Sequence, residues 1–204
     1  KGYDKKKGRK WNFFLIDLKG EIYRKVMKMD GQYKAGTDKR IQVVQPSNRM
    51  SYGWDVFYRM HTDGYVTETE LLKMVTDLAD ALIVKSGDNP YFDVNAKKIL
   101  TGILYWYAGK NEDFIDIIHK ITRSNLDELI SQIVHLAEKE QNGIVLDKLK
   151  SFVGKGKNES IQDVETTMKQ YLDVFSYPDI VYMLKDNPNK TSPRVLDDGE
   201  SNID

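Results

Sequence analysis

The sequence predicts a mainly α-helical protein: a multi-helix all-alpha domain attached to an α/β sheet of which only an edge lies in the chain. Three observations carry this expectation. Asn89 to Ala108 is a long and strongly apolar helical stretch. Further stretches between about Val66 and Lys185 repeat apolar residues at three- and four-residue spacing. Strand-like patterns stop at Gln45, and short polar turns separate the later segments.

The chain has 204 residues, enough for one domain or two and for a sizeable core. Its 31 basic residues balance 31 acidic ones. No global field therefore draws it to nucleic acid or membrane, and any such contact must come from a local patch. It contains no cysteine, which excludes disulfides and thiolate metal sites and suits the cytosol. No signal peptide is visible, and no apolar run reaches the twenty or so residues a spanning helix needs. The opening KGYDKKKGRKW, without methionine, reads as the start of a fragment.

In chain order, the first ten residues form a basic run, a solvated loop or a phosphate-contacting arm. Trp11 to Leu18 is a dense apolar run of strand length, the pattern of a strand buried on both faces. Lys19-Gly20-Glu21 turns it into a short helix, Ile22 to Met29. Arg40 to Gln45 reads as a second strand ended by Pro46. Strand, turn and helix are half of a βαβ unit, which places Asp17 at a strand end, either as a carboxylate capping the helix that follows or where open sheets present ligand-facing residues. Tyr52 to Met60 is aromatic and amphipathic and reads as a packed connector.

His61 to Glu70 imitates the back half of a calcium loop. The first and third ligand positions hold Arg59 and His61, however, and a cation there repels calcium. Thr67 and Glu70 instead suit a capping box for a helix over Glu68 to Lys85, with Leu71, Leu72, Val75, Leu78, Ala79 and Leu82 inward.

The central helix begins after the Asn89-Pro90 turn, with Ala96, Ile99, Leu100, Ile103, Leu104 and Tyr107 in one stripe, Trp106 widening it, and Gly109-Lys110 closing it. The next helix runs from Asn111 to Ile121 with Phe114, Ile117 and Ile118 inward. Ser124 is the expected cap of another, with Asp127 and Glu128 in its first turn and Leu126, Leu129, Ile130, Ile133, Val134 and Ala137 inward. Asn142-Gly143 ends that helix and Ile144 to Val153 forms a short one. After a basic loop, Gly154 to Asn158, Ser160 and Asp163 open the last long helix, with Val164, Met168, Tyr171, Leu172 and Phe175 apolar. Tyr177-Pro178 stops it, and Ile180 to Leu184 adds a turn or two. Asn187 to Asp204 reads as polar and poorly ordered, unless it returns to the sheet.

FFLIDLKGEIYR, followed some twenty residues later by IQVVQP, resembles two sheet strands of the TraG/TraD-type coupling proteins of type IV secretion and conjugation. NPYFDVNAKKILTGILYWYA is similar to the opening core helix of that family's all-alpha domain. The resemblance spans roughly Trp11 to Asn187. It implies a RecA-like α/β nucleotide-binding domain interrupted by a helical insert, divided here as 1–60, a partial nucleotide-binding segment, 61–186, the all-alpha domain, and 187–204, a polar return segment. It also implies that Asp17, Lys19, Gly20 and Glu21 lie near nucleotide, and that the parent protein uses ATP and Mg, is hexameric and is anchored at the cytoplasmic face of the membrane. Its partners would be a relaxase, a relaxosome accessory protein or a secreted effector. The chain itself is expected to be monomeric, with only weak single-stranded DNA contact. An alternative is part of an FtsK-like DNA-translocating ATPase.

The chain departs from the family in lacking the phosphate-binding loop, G-x-x-x-x-G-K-[ST]. Gly154-Lys155-Gly156-Lys157-Asn158 does not supply one. Neither lysine precedes Ser or Thr, and Leu149 and Ser151 stand where the earlier glycine belongs. The Walker B strand is missing too, so no ATP hydrolysis is expected of this chain, and no cofactor. Lys148, Lys150, Lys155 and Lys157 gather near Gly154 and suit phosphate or an acidic partner. His61, His119 and His135 lack partners at metal-ligand spacing. Met27, Met29, Met74, Met168 and Met183 read as core filling.

Overall fold

A computed structural model describes residues 3–4, 9–10, 16, 21, 24–25, 43–58, 60, 66–84, 90–155 and 159–192. Among these the protein is mainly helical. Two short strands near the start, β1 (Tyr3–Asp4) and β2 (Arg9–Lys10), pair antiparallel, so part of the basic run is β-structure.

Helix α1 (Glu68–Leu82) begins as its sequence requires. The Thr67 hydroxyl accepts from the Glu70 amide at 3.2 Å while the Glu70 carboxylate accepts from the Thr67 amide at 3.0 Å, satisfying two amides that a helix start leaves open. Leu71, Val75 and Ala79 face inward and Ile83 caps the end, so the helix stops short of the expected Lys85.

Helix α2 (Pro90–Ala108) is the axis of the fold. Every residue from Ile99 to Trp106 is buried, so the helix is enclosed on all sides there, beyond the single stripe its periodicity suggests. Each aliphatic side chain so buried contributes about 1.5–3 kcal/mol. Tyr107 is only half-buried. The turn after α2 uses Asn111, at φ 62°, as its left-handed residue in place of Gly109. A short polar side chain tolerates that conformation.

Helices α3 (Phe114–Arg123), α4 (Leu126–Lys139), α5 (Gly143–Leu149) and α6 (Glu159–Leu172) come next, and α2 touches each of them as well as α1. Asp113 caps α3, accepting from the Ile115 amide at 2.9 Å. Asn125, not Ser124, caps α4, accepting from the Glu128 amide at 3.1 Å. Ser124 closes α3 instead, because α4 starts at Leu126, a fully buried residue that fixes the register. At the next junction Gln141 takes φ 55°, Asn142 caps α5 and Gly143 is its first residue; Asn142-Gly143 therefore starts a helix as well as ending one. A 3₁₀ turn, Lys150–Phe152, finishes this arm. After α6 come a 3₁₀ turn (Asp173–Ser176), α7 (Pro178–Val181) and a π-helical turn (Tyr182–Asp186).

The expectation that strands stop at Gln45 is overturned. Strand β3 (Gly53–Trp54) pairs parallel with β4 (Lys190–Thr191), with Gly53 opposite Lys190 and Trp54 opposite Thr191. Tyr52 makes a parallel bridge to Val44 on its other side. What reads as connector is thus the middle of a small parallel patch, and the first residues of the return segment are ordered within it. Neither strand shows a period-2 signal, because two residues are too few and the pairing partner is remote in sequence. Of the run Trp11 to Leu18, only Ile16 is described; it lies in no strand and is 73% exposed. A strand buried on both faces has elements packed over both, which an exposed Ile16 does not fit; the rest of that run lies outside the described residues. Arg24 and Lys25 are helical, as expected, and so is Glu21, which the sequence places in the turn before that helix.

Candidate functional site

The chain enters and leaves the helical body at one place. The Gly53 amide donates to the Asn189 carbonyl at 2.9 Å and the Asp55 amide to the Thr191 carbonyl at 3.0 Å. The Asn187 side chain, buried among these strands, donates to the Ser51 carbonyl at 2.9 Å and accepts from the Asn189 amide at 2.9 Å. Gly53 is there because nothing larger fits: an added Cβ would meet the Met183 carbonyl oxygen at 2.5 Å.

The junction is fastened to the bundle in two further ways. Phe57, just after β3, packs edge-on to Phe114 at 5.9 Å between ring centroids, and Phe114 packs edge-on to Phe175 at 5.1 Å. Such pairs add about 0.5–1.5 kcal/mol each beyond their burial. Two lysines of the exit path also reach the first turn of α3. Lys185 bonds Asp116, and Lys190 lies 3.8 Å from Asp113. The Asp116 hydrogen bond raises Lys185 above the usual lysine range, opposed by desolvation and helped by Asp116, Asp113 and Asp186 as charges. The π-helical turn carries Lys185, and such turns often mark functional positions.

The second region is the turn after α5. Lys150 bonds Glu138 of α4 at 2.9 Å, and that bond holds the Glu138 carboxyl below the usual carboxylate range. Lys148 lies 3.9 Å from Asp147. Lys155 is exposed beside Gly154, which takes φ 70°. Three of the four predicted lysines are therefore near one turn, two of them beside a carboxylate; Lys157 lies outside the described residues.

Of the nucleotide-proximal set, Glu21 is helical and exposed, while Asp17, Lys19 and Gly20 lie outside the described residues. Arg59 and His61 lie outside them too, while residues 66–70 of the calcium-like segment hold the Thr67–Glu70 capping box. His119 sits half-buried on α3 and His135 is exposed on α4. Among the described residues no group of three or more His, Asp or Glu side chains is placed to hold a metal ion, and no helix is long and apolar enough to cross a membrane. Sequence reasoning missed Ser51, Gly53, Asn187, Lys185 and Lys190. The one available signal was Asn187-Pro188-Asn189, a turn motif directly before the returning strand.

Comparison with family models, curated proteins and solved structures finds no match to the chain.

Proposed function

We propose that this chain is the cargo-recruiting helical part of a TraG/TraD-type coupling protein, set into a RecA-like motor domain whose ATP and Mg chemistry lies outside the helices. One observation carries the reading: the helical body leaves and rejoins a parallel β patch through neighbouring strands, Gly53–Trp54 and Lys190–Thr191. Adjacent exit and return strands let an insert leave a sheet undistorted, and parallel strands belong to α/β folds with helices on their faces. The motif Asp17-x-Lys19-Gly20-Glu21 supports it by resemblance, with those residues at the nucleotide side.

In this reading the parent is hexameric and anchored at the cytoplasmic face of the membrane. The helical part captures a relaxase, an accessory protein or a secreted effector, with Lys148, Lys150, Lys155 and Lys157 in the contact. Net neutrality keeps any single-stranded DNA contact weak and salt-dependent.

A pull-down of the relaxase and accessory protein of the same conjugative element tests this, repeated with the four lysines reversed to glutamate. Capture by the wild-type chain and loss on reversal is the expected result. Capture undiminished by reversal removes that loop from the interface, and failure to retain relaxase, accessory protein or effector rejects the recruiting role.

A further inference from the structure

We infer that the first two turns of α2, together with the turn at Val153–Lys155, form a docking surface for an acidic peptide carrying apolar anchors; this deepens the recruiting role and rests on it. The surface arises where α5 runs out. At Gly102 the two helices are in close contact, since an added Cβ would lie 2.7 Å from Leu149 and 2.9 Å from Lys148. One turn earlier on the same face, the Lys98 ammonium stands 5.9 Å from the Phe152 ring centroid, at the end of the 3₁₀ turn. Earlier still, on the face that α5 no longer reaches, come Val94 and Tyr91, 58% and 51% exposed. Val153, next to Phe152, is 39% exposed. Val84, just past the end of α1 and 63% exposed, lies at the same end, where Asp80 bonds Lys97 of α2 at 2.9 Å and the Val84 carbonyl accepts from Tyr171 of α6 at 2.6 Å.

Four large apolar groups thus share one end of the bundle, where scattered single ones are the norm. The charge around them is one-sided. Lys97, Lys148 and Lys150 each have a carboxylate within 4 Å, whereas among the described residues Lys98 and Lys155 have none. The nearest acidic residue on α2, Asp93, is buried on another face. Tyr91 to Lys98 spans about 10 Å, two helical turns, which matches the anchor spacing of a short amphipathic helix.

Peptide is favoured over nucleic acid by the kind of apolar group present. Binding of single strands rests on several exposed rings that stack on bases. Here one exposed tyrosine stands among three valines, which complement aliphatic and aromatic anchors.

The test uses the full 204-residue chain and a fluorescein-labelled amphipathic peptide of leucine anchors and glutamates. A lysine-for-glutamate version, a scrambled version and an oligothymidylate serve as comparisons. The glutamate peptide is expected to bind, with amide shifts confined to the neighbourhood of Tyr91, Val94, Lys98, Val153 and Lys155. Affinity should fall about tenfold or more in Tyr91→Ala/Val94→Ser and in Lys98→Glu/Lys155→Glu, with unchanged helical circular dichroism. Absent binding, equal binding of the lysine or scrambled peptide, indifference to both double variants, or preferential binding of oligothymidylate at these residues would each overturn the inference. Relaxase captured without any peptide binding sinks this surface alone. Peptide binding as described with no relaxase, accessory protein or effector retained sinks the recruiting role alone.

Discussion

The side-chain amide of Asn187 donates to the backbone carbonyl of Ser51 at 2.9 Å across 136 residues of chain, and the bond is buried. It joins the turn that leads into the returning strand to the stretch that leads into the outgoing one. A buried bond of this kind is worth about 1 kcal/mol net, but breaking one partner strands the other at about 1–3 kcal/mol. The asymmetry makes the junction an all-or-nothing contact: strands, Asn187 and Gly53 close together or not at all.

Replacing Gly53 by alanine should therefore open the junction. The new methyl would meet the Met183 carbonyl oxygen at 2.5 Å and the Asn187 Cβ at 2.8 Å, and backbone cannot move aside as a flexible side chain can. A loss of about 1–3 kcal/mol is expected in urea unfolding. Faster hydrogen exchange at the Gly53 and Asp55 amides, with α2 still protected, would locate the damage.

Gly102→Ala sets two effects against each other. Alanine favours the helix interior by about 1 kcal/mol over glycine. Its Cβ would, however, stand 2.7 Å from two atoms of the buried Leu149, and such crowding costs about 1–3 kcal/mol. A net loss of about 1 kcal/mol is expected, because α5 must shift outward. A stabilised variant in thermal unfolding would show that α5 yields freely.

At the α3–α4 turn, Asn125→Ala should cost about 1 kcal/mol and Ser124→Ala less than about 0.5 kcal/mol. Only Asn125 presents a side-chain acceptor to the helix start. Ser124 contributes its carbonyl, which accepts from Lys169 and survives the substitution. Equal losses in denaturant unfolding would contradict the assignment.

Stability should fall on the alkaline side. Burial raises Tyr105, with Glu68 adding, and burial also raises Tyr107, where Lys120 opposes and Glu112 adds; the bond to Asp116 raises Lys185. All three hold protons in the folded protein that the unfolded chain releases above about pH 10. Their contribution is complete below that point and is lost as pH rises through the folded values. Urea midpoints between pH 8 and 11 should therefore decline, and Lys185→Met should make the decline shallower.

Much of the helical body was legible because its signals are local. Thr67 and Glu70 lie three residues apart, and Leu126, Ile130, Ile133 and Ala137 announce a face within one window. Choices between adjacent equivalents were not legible: Ser124 and Asn125 can both cap, and Gly109 and Asn111 can both turn left-handed. The junction was hidden for a different reason. Gly53 and Lys190 are strand residues only because they find each other, and no window of sequence contains both. The lysines at the α5 turn were visible, but not that Lys150 leans on Glu138.

Because Trp54 and Lys190 lie in adjacent paired strands, the helices between them form one excursion whose two ends are held together at its base. The helices between can therefore be treated as a cassette tied at its base, whose ends should stay together when sequence outside it is changed.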